Sequence, residues 1–388
     1  MIRVTDHLAE PGSTDRAPDP RPDHFTIGVE EEFHVADAAS RTLAQDGDVV
    51  LEGIEREGFE PEQFASEIYL SMVETATVVC TTLDEIRTQL RALRAELCTT
   101  AAAHGLRVLA AGTMPLARLR TQKITPDPRY RRIELVHQQV SREMMACGTH
   151  VHIGLGDRDE AVQVLNHARA YLAPLLALSA NSPFWDEQDT GFASYRSVLW
   201  GRWPSATLPE PFADLAEYDA VARMLVDAGA MIDLGQVYWD ARLSIEHPTL
   251  EFRVADVCLT VDEAVLQAGL CRAVVRACLD RVRRGAPPPQ MRPEALRAAK
   301  WRAARYGLEN RLFDPVTCTL LPAGELLGAI LDDLRPALEA EGDWEQVRDL
   351  VDRLLREGTG AARQRAAFAE SGRLEDAVDL VVQGTCTA

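Results

Sequence analysis

Three short segments far apart in the chain alternate apolar residues with groups that bind metal or phosphate. They are Gly28–Val35, Thr149–Gly154 and Leu250–Val254. In an extended strand successive side chains take opposite faces. Val29, Phe33, Val35, Val151, Ile153, Leu250, Phe252 and Val254 then form one face, which a core can absorb. Glu30, Glu32, His34, His150, His152, Glu251 and Arg253 form the other, and no core tolerates that set unpaired. If the strands share a sheet, its polar face is a surface suited to metal ions and an anionic ligand.

Each motif also has a plainer reading. An acidic triplet such as Glu30-Glu31-Glu32 is, alone, a charged strand end in water. Here Ile27, Val29, Phe33 and Val35 bracket it, which puts it mid-strand, where carboxylates need the counter-charge that Mg²⁺ supplies. Glu31 falls on the apolar side and reads as structural. His150-x-His152 is weak alone: two imidazoles on one strand face chelate Zn²⁺ or Mn²⁺, or bind phosphate oxygens. Zinc wants a further N, S or carboxylate ligand, and the surplus of glutamates favours a harder ion. Glu251-x-Arg253 is either an ion pair or a metal ligand beside a phosphate or carboxylate clamp. Glu74 carries the same ambiguity. The sequence has no Walker-type loop, no Gly-x-Gly-x-x-Gly and no Gly-x-Ser-x-Gly. These residues alone imply a metal-dependent enzyme acting on a phosphorylated or carboxylated ligand.

The elements that position them are legible in outline. Residues 1–23, with Pro11, Pro18, Pro20 and Pro22 among polar residues, read as a flexible tail. Residues 24–388 read as one α+β domain with a helical C-terminal part. A strand is expected over Met72–Val79, then a helix capped by Thr82 and closed by Gly105, then a strand over Leu106–Ala111. A helix over Arg129–Met145 leads to the histidine strand, and a long helix over Asp159–Ala180 bends at Pro174. Residues 181–212, rich in turn-formers and aromatics, read as a long functional loop. After the Glu251–Arg253 strand come a capped helix over Asp262–Arg284 and four further helical patterns to about Gln383.

Composition bounds the partners. A formal charge of −19 argues against nucleic acid. No apolar run approaches the roughly 20 residues that span a bilayer, and no signal peptide is visible. Eight scattered cysteines without a Cys-x-x-Cys pair read as reduced, mostly buried thiols of a cytoplasmic protein.

The ordered set of motifs resembles the carboxylate-amine ligases described as type 2 glutamate–cysteine ligases. The matching pieces include Gly28–Phe33, Met72-Val73-Glu74, Cys147–Gly154, Ala180–Trp185, Asp189-Thr190-Gly191, Ser194-Tyr195-Arg196, Arg202-Trp203-Pro204 and Thr249–Asp256. The resemblance implies a glutamine-synthetase-like fold, in which a curved, mainly antiparallel sheet forms a funnel with helices outside. It implies ATP, Mg²⁺ or Mn²⁺, and small amino-acid substrates, with L-glutamate and L-cysteine as the default pair. A homodimer that binds neither nucleic acid nor membrane is the expected assembly.

By the same resemblance Glu30, Glu32, Glu74 and Glu251 are metal ligands. His152 is a ligand or phosphate contact with His150 beside it, and Arg253 faces the ATP phosphates. Arg196, Arg202 and Tyr195 are expected at the substrate. Glu187 stands where the family pattern has a glycine, and its side chain is expected to narrow the substrate mouth. Two competing readings are a metal-dependent amide hydrolase using the His150/His152 face and a non-catalytic binding protein of the same fold.

Overall fold

The computed structural model describes residues 24–54, 58–117, 122–206, 208 and 210–387. The tail expected over residues 1–23 lies outside them. The strands are β1 (Ile27–Asp37), β2 (Phe64–Ser66), β3 (Met72–Ala76), β4 (Leu106–Leu109), β5 (Gly148–Gly154), β6 (Phe184–Trp185), β7 (Gln188–Asp189), β8 (Ala241–Leu243), β9 (Thr249–Asp256), β10 (Arg311–Asp314) and β11 (Thr319–Pro322). The helices are α1 (Gly47–Gly53), α2 (Leu83–Ala103), α3 (Pro128–His137), α4 (Gln139–Arg142), α5 (Arg158–Ala168), α6 (Leu172–Ser179) and α7 (Tyr195–Trp200). They continue with α8 (Leu215–Asp227), α9 (Val261–Arg283), α10 (Pro293–Tyr306), α11 (Ala323–Glu341), α12 (Trp344–Glu357), α13 (Gly360–Ser371) and α14 (Leu374–Cys386).

The three motif strands do share a sheet. It is antiparallel throughout, in the order β2-β3-β1-β5-β9-β8, with β4 pairing the far end of β1. Val29, Val151, Ile153, Leu250 and Phe252 are buried on one face, under α5, α6 and α9. Phe33, Val35 and Val73 join a second core with Leu93 and Leu97 of α2. Glu31, on this apolar side, forms a buried pair with Arg94 of α2 at 2.6 Å. Arg94 also donates to the Cys258 and Leu259 carbonyls, so this pair ties β1 to the chain after β9. Glu31 is structural, as its register suggests.

Local signals set most boundaries. Thr82 and Glu85 form a capping box at α2, and Gly105 takes a φ of 72° just beyond it. Elsewhere the chain departs from expectation. The helix expected over Asp159–Ala180 is broken into α5 and α6 by a 3-10 turn at Arg169–Tyr171. A proline ring clashes with the carbonyl four residues before it, so the distortion from Pro174 appears upstream. The helix expected over Arg129–Met145 stops at His137, where Gln138 adopts a φ of 49°, and the short α4 follows.

Residues 181–212 are not one loop. They hold the β6–β7 hairpin and α7, and Asp256 at the end of β9 pins them by accepting from Asn181 N, Ser182 Oγ and Ser194 Oγ. Among the described residues five helices, not four, follow α9, with a β10–β11 hairpin among them. The cysteines are also not all reduced: Cys98 of α2 is joined to Cys386 of α14. That partner lies 288 residues away, beyond any spacing rule. Among the described residues no helix is long and apolar enough to cross a membrane.

Candidate active site

Strand register aligns the polar residues into facing pairs. Glu74 of β3 is opposite Glu32, Glu30 is opposite His150, and His152 is opposite Glu251. Glu251 is in turn opposite Arg242 of β8. Directly opposed residues bring their side chains into contact range. Between Val151 and Thr149 the partner strand runs from Phe252 to Ala255, one residue more than β5. This bulge lies at Arg253 and Val254 and brings Arg253 Nη1 to 3.4 Å from His150 Nδ1. The polar face floors a cleft of about 940 Å³ whose lining includes all of Glu30, Glu32, Glu74, His150, His152, Glu251 and Arg253.

Within the cleft the charges are paired across strands. His150 Nδ1 is 3.2 Å from Glu30 Oε2, and His152 Nε2 is 3.3 Å from Glu30 Oε1. Burial would raise the Glu30 carboxyl, but the hydrogen bonds from His150 and His152 outweigh it and hold Glu30 well below the usual range. Burial and the Arg253 charge press His150 down to about 4, so its imidazole is neutral near pH 7. His152 moves the other way: burial opposes protonation, but its bond to Glu30 raises it above the ordinary value. Glu251 accepts from Arg242 Nε at 2.7 Å and from Arg253 Nη1. Burial opposes ionisation of Glu251, yet the Arg253 and Arg242 charges hold it well below the carboxylate range.

A second group is all acid. Glu67, in the β2–β3 connection, joins Glu32 and Glu74. Burial, then repulsion from Glu67, pushes Glu32 up to about 8. Burial and repulsion from Glu30 drive Glu74 well above its ordinary value, and burial raises Glu67.

Three overlapping donor sets result: Glu30, His152 and Glu251; Glu30, Glu74 and His150; and Glu32, Glu67 and Glu74. In each, the ligand atoms lie within 4.8 Å of one another. The residues fit divalent cations on two grounds. The raised acids Glu67 and Glu74 make no ion pair with a cation among the described residues, and the buried Nε2 of His150 makes no hydrogen bond there. Carboxylate-rich donors with imidazole suit Mg²⁺ or Mn²⁺ better than a thiolate-loving metal.

The remaining expected residues lie elsewhere. Arg196 is buried behind the cleft, over the Trp200 ring, with Nη2 donating to the Arg253 carbonyl at 3.3 Å. Gly148 makes room for it, since a methyl group there would run into the Arg196 guanidinium. Arg202 pairs with Glu143 at 2.6 Å and lines a different cavity. Tyr195 packs beside Trp185 and Phe192 and is not in the cleft lining. Glu187 is also outside the lining. It and Asp186 form the two-residue turn of the β6–β7 hairpin, with φ values of 61° and 50°. A glycine there relieves backbone strain; it does not widen a substrate mouth. His34, on the polar side of β1, is fully buried beyond the cleft, and burial pushes it down to about 3.

Sequence reasoning missed Glu67, Arg129 and Arg242, all of which line the cleft. Arg242 had a signal, the alternation Ala241-Arg242-Leu243, on a strand of only three residues. Glu67 and Arg129 sit at element ends, where no periodicity marks them.

The profile of glutamate-cysteine ligase family 2 (GCS2) matches residues 26–380. A Frankia alni protein named "Putative glutamate--cysteine ligase 2-2" is 43% identical over 375 residues, covering 93% of this chain and 97% of its own. A Mycolicibacterium smegmatis protein of the same name is 42% identical over 361 residues, covering 93% and 90%. The solved glutamate–cysteine ligase of Francisella tularensis, in complex with AMP, superposes with a TM-score of 0.69 at 13% identity, covering 94% of this chain and 89% of that one. The bifunctional glutathione synthetase of Pasteurella multocida gives 0.65 at 14% identity, covering 94% and 53%. The fold is therefore the ligase fold anticipated from the motifs, and the chain belongs to glutamate–cysteine ligase family 2, enzymes that form a carbon–nitrogen bond.

Proposed function

We propose that this protein is an ATP-dependent carboxylate–amine ligase using Mg²⁺ or Mn²⁺, with L-glutamate and L-cysteine as its default substrates. The single observation that supports it is the row of metal donors running beside Arg253 on the floor of one cleft. In such a reaction a substrate carboxylate oxygen attacks the γ-phosphorus of ATP, ADP leaves, and the amine then displaces phosphate from the acyl carbon. Glu30, Glu32, Glu74 and Glu251, with His150 and His152, would hold the metals, and Glu67 joins them. Bound there, the metals supply positive charge to the transferring phosphoryl oxygens.

The chain's own groups do the rest. Glu251 orients the Arg253 guanidinium toward the phosphates, and Arg242 locks Glu251 with its Nε and Nη2 while Nη1 donates to the Gly235 carbonyl at 2.8 Å. Arg196 is a positioning residue acting through the Arg253 backbone. Neutral His150 offers a lone pair where a charged imidazolium could not. Arg129, held by Asp233 at 2.9 Å in the cleft wall, takes the substrate-carboxylate role first expected of Arg202 and Tyr195.

ADP release tests the reading. It should require acid and amine together. Amide hydrolysis independent of ATP would instead make the protein a hydrolase, and binding without any ADP would make it a non-catalytic relative. The proposal includes a cytoplasmic homodimer, and sedimentation velocity checks the dimer.

A further inference from the structure

A second cavity, of about 750 Å³, lies behind the wall of the cleft. No described residue lines both. The dividing wall is thin: Trp200 and Trp203 line the cleft while Gly201, Arg202 and Pro204 line the cavity, and Tyr238 faces the cleft while Trp239 faces the cavity. Much of the cavity surface is apolar, from Val198, Leu208, Phe212, Val221, Leu225 and Leu296.

Its cations are unequal. Lys300 is committed to both oxygens of Asp240, at 2.7 and 2.8 Å, and Arg202 to Glu143. Arg169 is different. It sits in the 3-10 turn between α5 and α6, its side chain is 2% exposed, and its Nε and Nη2 make no hydrogen bond among the described residues. Its ion-pair neighbour is Glu210, 3.5 Å from Nη2, and that carboxylate is 62% exposed. A guanidinium is a fork built to grip a planar anion, and buried donors are otherwise almost always satisfied. In a chain of net charge −19, a buried cation with unused donors in the lining of a largely apolar chamber selects for a negative group on an apolar body.

The geometry points to this cavity as a binding site for a small aromatic or branched-chain carboxylate, its acid group on Arg169 in place of Glu210 and its body against Trp239 and the apolar lining. The site is separate from the ligase chemistry and does not depend on the substrates of that reaction.

Fluorine NMR titration of para-fluorophenylacetate into the intact protein tests it, with para-fluorobenzyl alcohol as the uncharged control. The acid should bind and the alcohol bind about tenfold more weakly or not at all, as loss of a charge-assisted pair predicts. Arg169→Met should weaken the acid by about the same factor. Glu210→Gln, a change at the exposed end of the pair, should tighten it, because the competing carboxylate is neutralised while the fold is untouched. Val221→Trp, which fills the chamber from a half-buried position on α8, should block it. Equal binding of acid and alcohol, or Glu210→Gln and Val221→Trp both binding the acid like the parent, overturns the assignment. So does displacement of the bound acid by ATP and Mg²⁺, which would place the acid in the cleft.

Discussion

Glu32 of β1 and Glu74 of β3 face each other directly across the sheet. Carboxyls so opposed cannot ionise together, so the metal-free sheet keeps them at the cost of holding protons, and Glu67 adds a third. A bound cation converts this liability into affinity, because what repels without it coordinates with it. Glu74→Gln should therefore raise the melting temperature of the metal-free protein and shrink the further rise on adding Mg²⁺ or Mn²⁺. Calorimetry with and without chelator checks both signs. A variant that melts lower without metal and gains as much from Mg²⁺ as the parent removes Glu74 from the metal site.

The same acids give a pH signature. Glu32 rises from an ordinary 4.5 to about 8, so the folded state holds a proton that the unfolded chain has already released. Stability from this source is lost as pH rises toward 8. His152, raised above 6.5, acts in the same direction. His34 and His150, lowered to about 3 and about 4, act oppositely, but only below about 6.5. Between pH 6.5 and 8 the metal-free protein should therefore become less stable with rising pH, and saturating Mg²⁺ should flatten the slope by competing with protons. Glu32→Gln should flatten it without metal. Chemical denaturation across that window reads the slope, and a rising stability would contradict the assignment.

Alternation made the site's floor legible: Glu30, Glu32, His150, His152, Glu251 and Arg253 fell on one face because strand side chains repeat every two residues. What alternation cannot give is neighbourhood. Nothing in the sequence sets His152 opposite Glu251, or places the bulge that turns Arg253 toward His150. Nor does it give the Cys98–Cys386 bond or Glu67, since both depend on how distant segments meet. The segment from Asn181 departs from the expected loop for a related reason. Its turn-formers are real, but Asp256 gathers them into a hairpin and a short helix that back the site, with only Trp200 and Trp203 of the segment reaching the cleft lining among the described residues.

Arg253 tests how strict the geometry is. Its guanidinium reaches Glu251 and His150 at once, beneath the Trp200 and Tyr238 rings. Arg253→Lys keeps the charge but loses the fork. Turnover should fall about tenfold to a hundredfold, the effect of losing a charge-assisted hydrogen bond, while the melting temperature moves little. Steady-state kinetics with a melting control decides it. Full turnover with lysine would reduce Arg253 to a partner for Glu251.

Arg129 and Arg202 make opposite predictions for substrate binding. Arg202 is partly exposed, paired with Glu143 and outside the cleft. Such pairs contribute about 0–1 kcal/mol to stability and this one does not touch the cleft, so Arg202→Ala should leave the KM for the acid within about fivefold. Arg129 lies in the cleft wall, where Asp233 fixes one edge of its guanidinium. Arg129→Ala should raise the KM for the acid about tenfold, with the KM for ATP nearly unchanged, because only the pairing with the substrate carboxylate is lost. If the KM for ATP rises instead, Arg129 belongs to the nucleotide. If Arg202→Ala gives the larger effect on the acid, substrate enters from the α7 side and the cleft assignment of Arg129 fails.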